Sequence, residues 1–270
     1  MKVTYQGETG AYSEMAVYKF FGSKVEPVPC KDFREVFESV NINEVPHGVV
    51  PIENSIEGSV NQNYDLFLTY DLKVCGEVAV KLAHVLIGNP QTRLEDVKTV
   101  YSHPQALAQC RKYLEKHGWE IISAYDTAGA VKIIKEQNLQ NAAAIASEKS
   151  ADLYGMKILA RDISDNLTNY TRFLVLAHED AEPTGDDKTS IIFSTKHIPG
   201  ALYYALGEFS SRNINLTRIE SRPTKTTAWQ YNFYLDFEGH RTEKRCAEAL
   251  SALEKYATFV KILGSYPRVT

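Results

Sequence analysis

The chain has little that would hold a metal, cross a bilayer or bind nucleic acid. Its four cysteines, Cys30, Cys75, Cys110 and Cys246, lie far apart with no CxxC spacing. A disulfide framework is therefore not the basis of the fold, and reduced thiols are expected. Seven histidines are equally scattered. Without HxxxH or HExxH spacing, no two imidazoles share a helix face as zinc ligands, so metal-free chemistry is expected. No apolar run approaches the roughly 18 residues of a membrane-spanning helix, and the opening MKVTYQGETG lacks the basic and hydrophobic regions of a secretory leader. The expectation is a cytoplasmic protein with no membrane partner. Thirty basic side chains against thirty-four acidic ones give a net charge of −4. With no general positive field, helix-turn-helix or basic arm, nucleic acid is not an expected partner.

What is present is 270 residues, 44% hydrophobic and 24% charged, enough for about two domains with their own cores. Acid, proline and glycine crowd together in residues 178–187, between the apolar strands TRFLVLA and TSIIFST, and mark a linker. Before it, strand-like runs alternate with helical periodicity, the pattern of an α/β domain. Each run ends at a polar helix start: Pro51-Ile-Glu-Asn-Ser55, Ser102-His-Pro104, Asp126-Thr127 and Ser147-Glu148. Singly, each reads as a capping turn. Together they imply a cleft for an anionic small molecule, because ligands bind where strands end and helix N-termini attract anions. After the linker the order is βαββαβ, a ferredoxin-like arrangement.

Four segments carry the chemistry: Gly7-Glu-Thr-Gly-Ala-Tyr-Ser-Glu14, Pro51-Ile-Glu-Asn-Ser-Ile-Glu-Gly-Ser-Val60, Ser102-His-Pro-Gln-Ala-Leu-Ala-Gln-Cys110 and Asn166-Leu-Thr-Asn-Tyr-Thr-Arg-Phe173. In this order, followed by Pro199-Gly-Ala-Leu202 and Glu220-Ser-Arg-Pro223, they resemble prephenate dehydratases with a C-terminal ACT regulatory domain, over nearly the whole chain. The resemblance implies a bilobed, periplasmic-binding-protein-like catalytic domain over residues 1–180 and an ACT domain over 188–270. It implies conversion of prephenate to phenylpyruvate, water and carbon dioxide without a cofactor, by a monofunctional enzyme whose homodimer or homotetramer responds to L-phenylalanine.

By that resemblance, Thr171 hydrogen-bonds or protonates the leaving hydroxyl, with Phe173 beside it. Read as residues alone, Thr171 is rather a β-former within the strand TRFLVL. Arg172 pairs with a substrate carboxylate or with an internal acid that ties the lobes together. Glu53, Asn54 and Ser55 either bind substrate or form a cap. An ionised Glu53 would repel a dianion, so it is an organiser or a protonated donor. Ser102, His103 and Gln105 are either a cap or substrate contacts. Thr127 lies on the cleft rim next to Asp126, which reads as an N-cap. Gln109 lies a turn along the same helix as Gln105, and Cys110 reads as a packed hydrophobe. Gly200, Ala201, Leu202, Glu220 and Ser221 are the implied phenylalanine-binding residues. Glu8 stands where many relatives carry proline, and is expected to alter only loop stiffness. The aromatic helix of Tyr12, Tyr18, Phe20 and Phe21 is expected to be core. Two rivals stay open: arogenate dehydratase, and a non-catalytic amino-acid sensor.

Overall fold

The computed structural model describes residues 1–269 apart from 225, 226 and 228. Contacts gather the chain into two compact units, Met1–Leu66 with Val78–Phe173, and Phe67–Glu77 with Leu174–Thr270. Among the described residues no helix is long and apolar enough to cross a membrane.

The chain opens with β1 (Lys2–Gln6), α1 (Tyr12–Phe21), β2 (Glu26–Cys30), α2 (Phe33–Asn41), β3 (His47–Asn54), β4 (Gly58–Ser59), α3 (Asn61–Thr69) and β5 (Lys73–Lys81). It continues through β6 (Val85–Gly88), β7 (Thr99–Ser102), α4 (Pro104–Gln109), α5 (Arg111–His117), β8 (Glu120–Ser123), α6 (Thr127–Glu136), β9 (Ala142–Ala146), α7 (Glu148–Tyr154), β10 (Lys157–Ala160) and β11 (Tyr170–Ala177). These strands form two sheets, of order β2-β1-β3-β11-β5, with β4 paired to β3, and β10-β6-β9-β7-β8. The first unit is thus bilobed and α/β.

The second sheet shows why such short strands suffice. The sequence AAAIA of β9 is buried on both faces: Ala142, Ala144 and Ala146 pack against Val131 and Ile134, and Ala143 and Ile145 against Val100, Leu107 and Cys110. Period-2 alternation of small side chains lets helices close on both sides.

Two expectations are corrected here. The residues Glu53 to Ser55 do not start a helix. Asn54 Oδ1 accepts the N–H groups of Ile56 and Glu57, each at 3.0 Å, which turns the chain into a hairpin pairing Glu53 with Ser59, and α3 begins only at Asn61. The aromatic residues of α1 are not its core face. Its buried stripe is Ser13, Glu14, Ala16 and Val17, small enough for close packing, while Phe20 is exposed and Tyr12 is only partly buried.

The second unit contains β12 (Asp187–Thr195), α8 (Ala201–Ser210), β13 (Leu216–Pro223), β14 (Tyr231–Glu238), α9 (Lys244–Leu253) and β15 (Ala257–Pro267). Its antiparallel order β13-β14-β12-β15 is ferredoxin-like, with both helices on a core of Ile191, Phe193, Phe209, Leu235 and Phe237. Residues 178–186 carry no helix or strand. By contacts, however, the division falls inside β11, and residues 67–77 join the second unit. The reason is local: Lys73 Nζ donates to Ile262 O at 3.0 Å, Lys261 Nζ to Tyr70 O at 2.8 Å, and buried Lys188 pairs with buried Glu77 at 2.7 Å. Gly264 lies so close to Val74 that a Cβ would fall 2.2 Å from its carbonyl oxygen, so only glycine permits this docking.

Candidate active site

Within the first unit a cavity of about 320 Å³ is lined from both sheets, the size of a small-molecule site. Helices α1, α4 and α6 begin at it with polar groups, and Phe33 at the start of α2 lines it as well. Ala11, Tyr12 and Ser13 open α1, His103, Gln105 and Ala106 open α4, and Asp126 and Thr127 open α6. Among the described residues no lysine or arginine lines it. The donors it can offer an anion are therefore helix-start N–H groups and hydroxyls. The α1 start has no side-chain cap, so its first-turn donors are not taken up by its own N-cap side chain.

At one wall stands Thr171, carried by β11 and 7% exposed. A buried chain of side chains fixes its orientation. Asn54 Oδ1 is occupied by two backbone N–H groups, so its amide nitrogen must face the other way. From there Nδ2 donates to Thr171 Oγ1 at 2.9 Å and to Asn169 Oδ1 at 2.7 Å. Asn169 Nδ2 then donates to Gln109 Oε1 at 2.9 Å, which also meets His84 Nε2 at 2.9 Å. Because that oxygen is an acceptor, His84 carries its proton on Nε2, and Tyr12 OH, which donates to Ala83 O at 2.9 Å, lies 3.1 Å from the free Nδ1. Burial lowers the His84 pKa, which keeps the ring neutral. The consequence at Thr171 is directional: its oxygen accepts from Asn54, so its own proton is left to point elsewhere.

Half-buried Asp126 caps α6 by accepting the Gly129 N–H at 2.9 Å and also faces the cavity. Burial raises its pKa, against the pull of its capping N–H bonds. His103 caps α4 by accepting the Gln105 N–H at 3.3 Å, and burial lowers its pKa.

Of the expected site residues, Thr171, Asn54, His103, Gln105, Thr127 and Phe173 line this cavity. Four do not. Ser102 is sealed beneath it, donating to Ile145 O at 2.6 Å. Arg172, alternate to Thr171 on the strand, points to the other face and meets Glu53 at 3.4 Å. This is the internal acid pairing rather than a cavity contact. Ser55 accepts the Tyr170 N–H at 3.0 Å and fastens the hairpin to β11. Cys110 is fully buried and its thiol is pushed up to about 12, chiefly by burial, so it is no nucleophile. His84, Tyr125 and Asn169 were not picked out from the sequence, and Tyr12 was read as core rather than as a cavity residue. Asn169 at least lay inside a quoted segment, whereas a lone histidine between Ala83 and Val85 carries no local signal.

In the second unit, Gly200 caps α8 with φ +81°, where a Cβ would meet the Tyr204 ring at 2.8 Å. Ala201 is buried, Leu202 packs on the core, and Glu220 on β13 pairs with Arg218 at 3.5 Å while Ser221 is exposed.

A family model described as prephenate dehydratase matches residues 3–181. The chain belongs to the prephenate dehydratase family. It is 45% identical to prephenate dehydratase of Methanocaldococcus jannaschii over 98% of this chain and 97% of that one. It is also 46% identical to arogenate dehydratase/prephenate dehydratase 2 of Arabidopsis thaliana, over 99% of this chain and 73% of the relative. The solved prephenate dehydratase of Arthrobacter aurescens in complex with L-Phe is similar at TM-score 0.91 and 34% identity, covering 99% and 90% of the two chains. Membership of this family gives the cavity its context: the matched segment contains every residue of the chain from Asn54 to Tyr12 described above.

Proposed function

We propose that the chain converts prephenate to phenylpyruvate, water and carbon dioxide, with Thr171 as the catalytic residue. The carrying observation is the Asn54 to Thr171 hydrogen bond, which turns the threonine into an oriented donor at the wall of an anion-suited cavity. Loss of the ring carboxylate as carbon dioxide leaves an electron pair that expels the ring hydroxyl as the ring becomes aromatic. The departing hydroxide takes one proton to become water. Positioning the dianion and donating a hydrogen bond to the leaving oxygen are therefore the protein's main tasks. Threonine is a weak acid, and its contribution is this oriented bond rather than bulk proton supply.

Helix starts at α1, α4 and α6 would hold the carboxylates, with His103, Gln105 and Thr127 as side-chain partners and the Phe173 ring against the substrate ring. Asp126 caps α6 at the edge of the cavity, with its carboxylate turned to the Gly129 N–H. Glu53, Ser55, Arg172 and Ser102 serve as supports behind the wall. Residues 188–270 are assigned as an ACT domain that binds L-phenylalanine at Gly200, Ala201, Leu202, Glu220 and Ser221. The ferredoxin-like topology supports this, as does the L-Phe complex of the Arthrobacter relative. Exposed Tyr203 and Ile198 beside Gly200 favour a homodimer or homotetramer.

Arogenate is the second reading, favoured by the name of the Arabidopsis relative. It carries an ammonium in place of the keto group. The test is phenylpyruvate formation from prephenate by the purified chain, with arogenate in parallel and with L-phenylalanine added. Product from prephenate that responds to phenylalanine supports the reading, and no product from a folded chain refutes it. Sedimentation with and without phenylalanine reads the assembly.

A further inference from the structure

We propose that Tyr125 is a positioning residue for the occupant of the cavity, latched at its mouth by Glu8 and Lys132. The substrate arm of this inference rests on the prephenate reading, and the latch itself does not. Glu8 lies in the loop after β1, in one lobe, and its two carboxylate oxygens have separate partners from the other lobe. Oε1 accepts from Tyr125 OH at 3.0 Å and Oε2 from Lys132 Nζ at 3.2 Å. Glu8 is thus more than a change in loop stiffness, and a proline at this position could make neither contact.

The ring of Tyr125 lines the cavity yet is 60% exposed, so burial does not hold it. Two built features do. Gly129 supplies a seat: a Cβ there would lie 2.6 Å from the ring's Cζ and 2.8 Å from Cε2. The support under Glu8 is itself fastened, because Ser147 and Ser150 hydroxyls both donate to Gly10 O at 3.0 Å and Tyr154 OH donates to Thr9 O at 3.3 Å. Gly7 comes so close to Asp126 that a Cβ would sit 3.2 Å from its carboxylate. A partly exposed ion pair of this kind adds little to folding. Its effect is to restrict which rotamers the Tyr125 ring adopts over the cavity, and a ring held in place makes binding less costly in entropy.

The test uses the full chain with Glu8→Ala, Glu8→Gln and Tyr125→Phe. Hydrogen exchange at residues 7–11 and 124–129 reads the latch without any substrate. Faster exchange in Glu8→Ala is expected, with Glu8→Gln closer to wild type because its amide oxygen still accepts from Tyr125. In prephenate turnover, Tyr125→Phe and Glu8→Ala are expected to raise KM about tenfold with kcat within about twofold, and Glu8→Gln to recover part of that loss. Unchanged exchange in Glu8→Ala overturns the latch. Faster exchange with unchanged KM, or a fall in kcat that follows a lowered Tm, overturns the positioning role. Failure of the wild type to turn over prephenate would refute the substrate reading instead, and exchange alone would then judge the latch.

Discussion

Both units bury polar side chains, and the two sets do different things. In the second unit, Ser190 Oγ lies 2.6 Å from both Asp236 Oδ1 and Tyr266 OH, Thr189 donates to Gly239 O at 2.7 Å, and Lys188 meets Glu77 at 2.7 Å. Every one of these bonds ends on protein. In the first unit, the chain from Tyr12 through His84, Gln109, Asn169 and Asn54 ends on a hydroxyl at the wall of a cavity. Buried polarity therefore does not by itself mark a site. A network that closes on itself specifies packing, and one that stops at a void leaves directed hydrogen-bonding capacity for a ligand.

The comparison is broken most severely at the end of the open network. Thr171→Ala should lower kcat by about 10²-fold or more with the melting temperature nearly kept, measured as phenylpyruvate release. In the closed network, Lys188→Met should cost about 3 kcal/mol in denaturant unfolding, because it removes a buried ammonium that lies 2.7 Å from the buried Glu77 carboxylate. Retained turnover in the surviving folded protein would sharpen the contrast, and a selective kcat loss would blur it.

A subtler substitution separates orientation from presence. Asn54→Asp keeps an oxygen for the Ile56 and Glu57 N–H groups but cannot donate to Thr171, so the threonine proton turns toward the new carboxylate. An approximately tenfold or greater fall in kcat with near-normal circular dichroism is the expected outcome. Unchanged kcat would show that the direction of that bond does not matter.

The smallest effect concerns pH. Burial lowers the pKa of His84 from its ordinary 6.5. A group depressed in this way contributes stability that is full above the unfolded value and is lost as pH falls through the folded one. Tm should therefore decline below about pH 6.5, and His84→Gln should flatten part of that decline. His47 and His103 are shifted in the same direction by burial and add to the decline.

Much of this was legible beforehand wherever the signal was local. The caps at His103, Asp126 and Ser147 each accept a backbone N–H two or three residues on, as their residue types and positions suggest. The βαββαβ order followed from alternating apolar runs. The hairpin after Asn54 was not legible, because an asparagine can cap a helix or turn a strand with the same oxygen. Glu8 read as a matter of stiffness because its partners, Tyr125 and Lys132, lie more than a hundred residues away.

By itself, then, the sequence determined the α/β pattern of the first part, the βαββαβ order of the second, the absence of metal-ligand spacing and the family, all of which depend on residue types within a few positions of one another or on motifs in series. Only the tertiary structure decided which polar groups face the cavity and which face one another. Asn54 and Thr171 are 117 residues apart, and Gln109 stands 25 from His84 and 60 from Asn169. Hydrogen bonds act over about 3 Å and demand direction. Such partners are chosen by how two sheets and their helices pack, which no local spacing records.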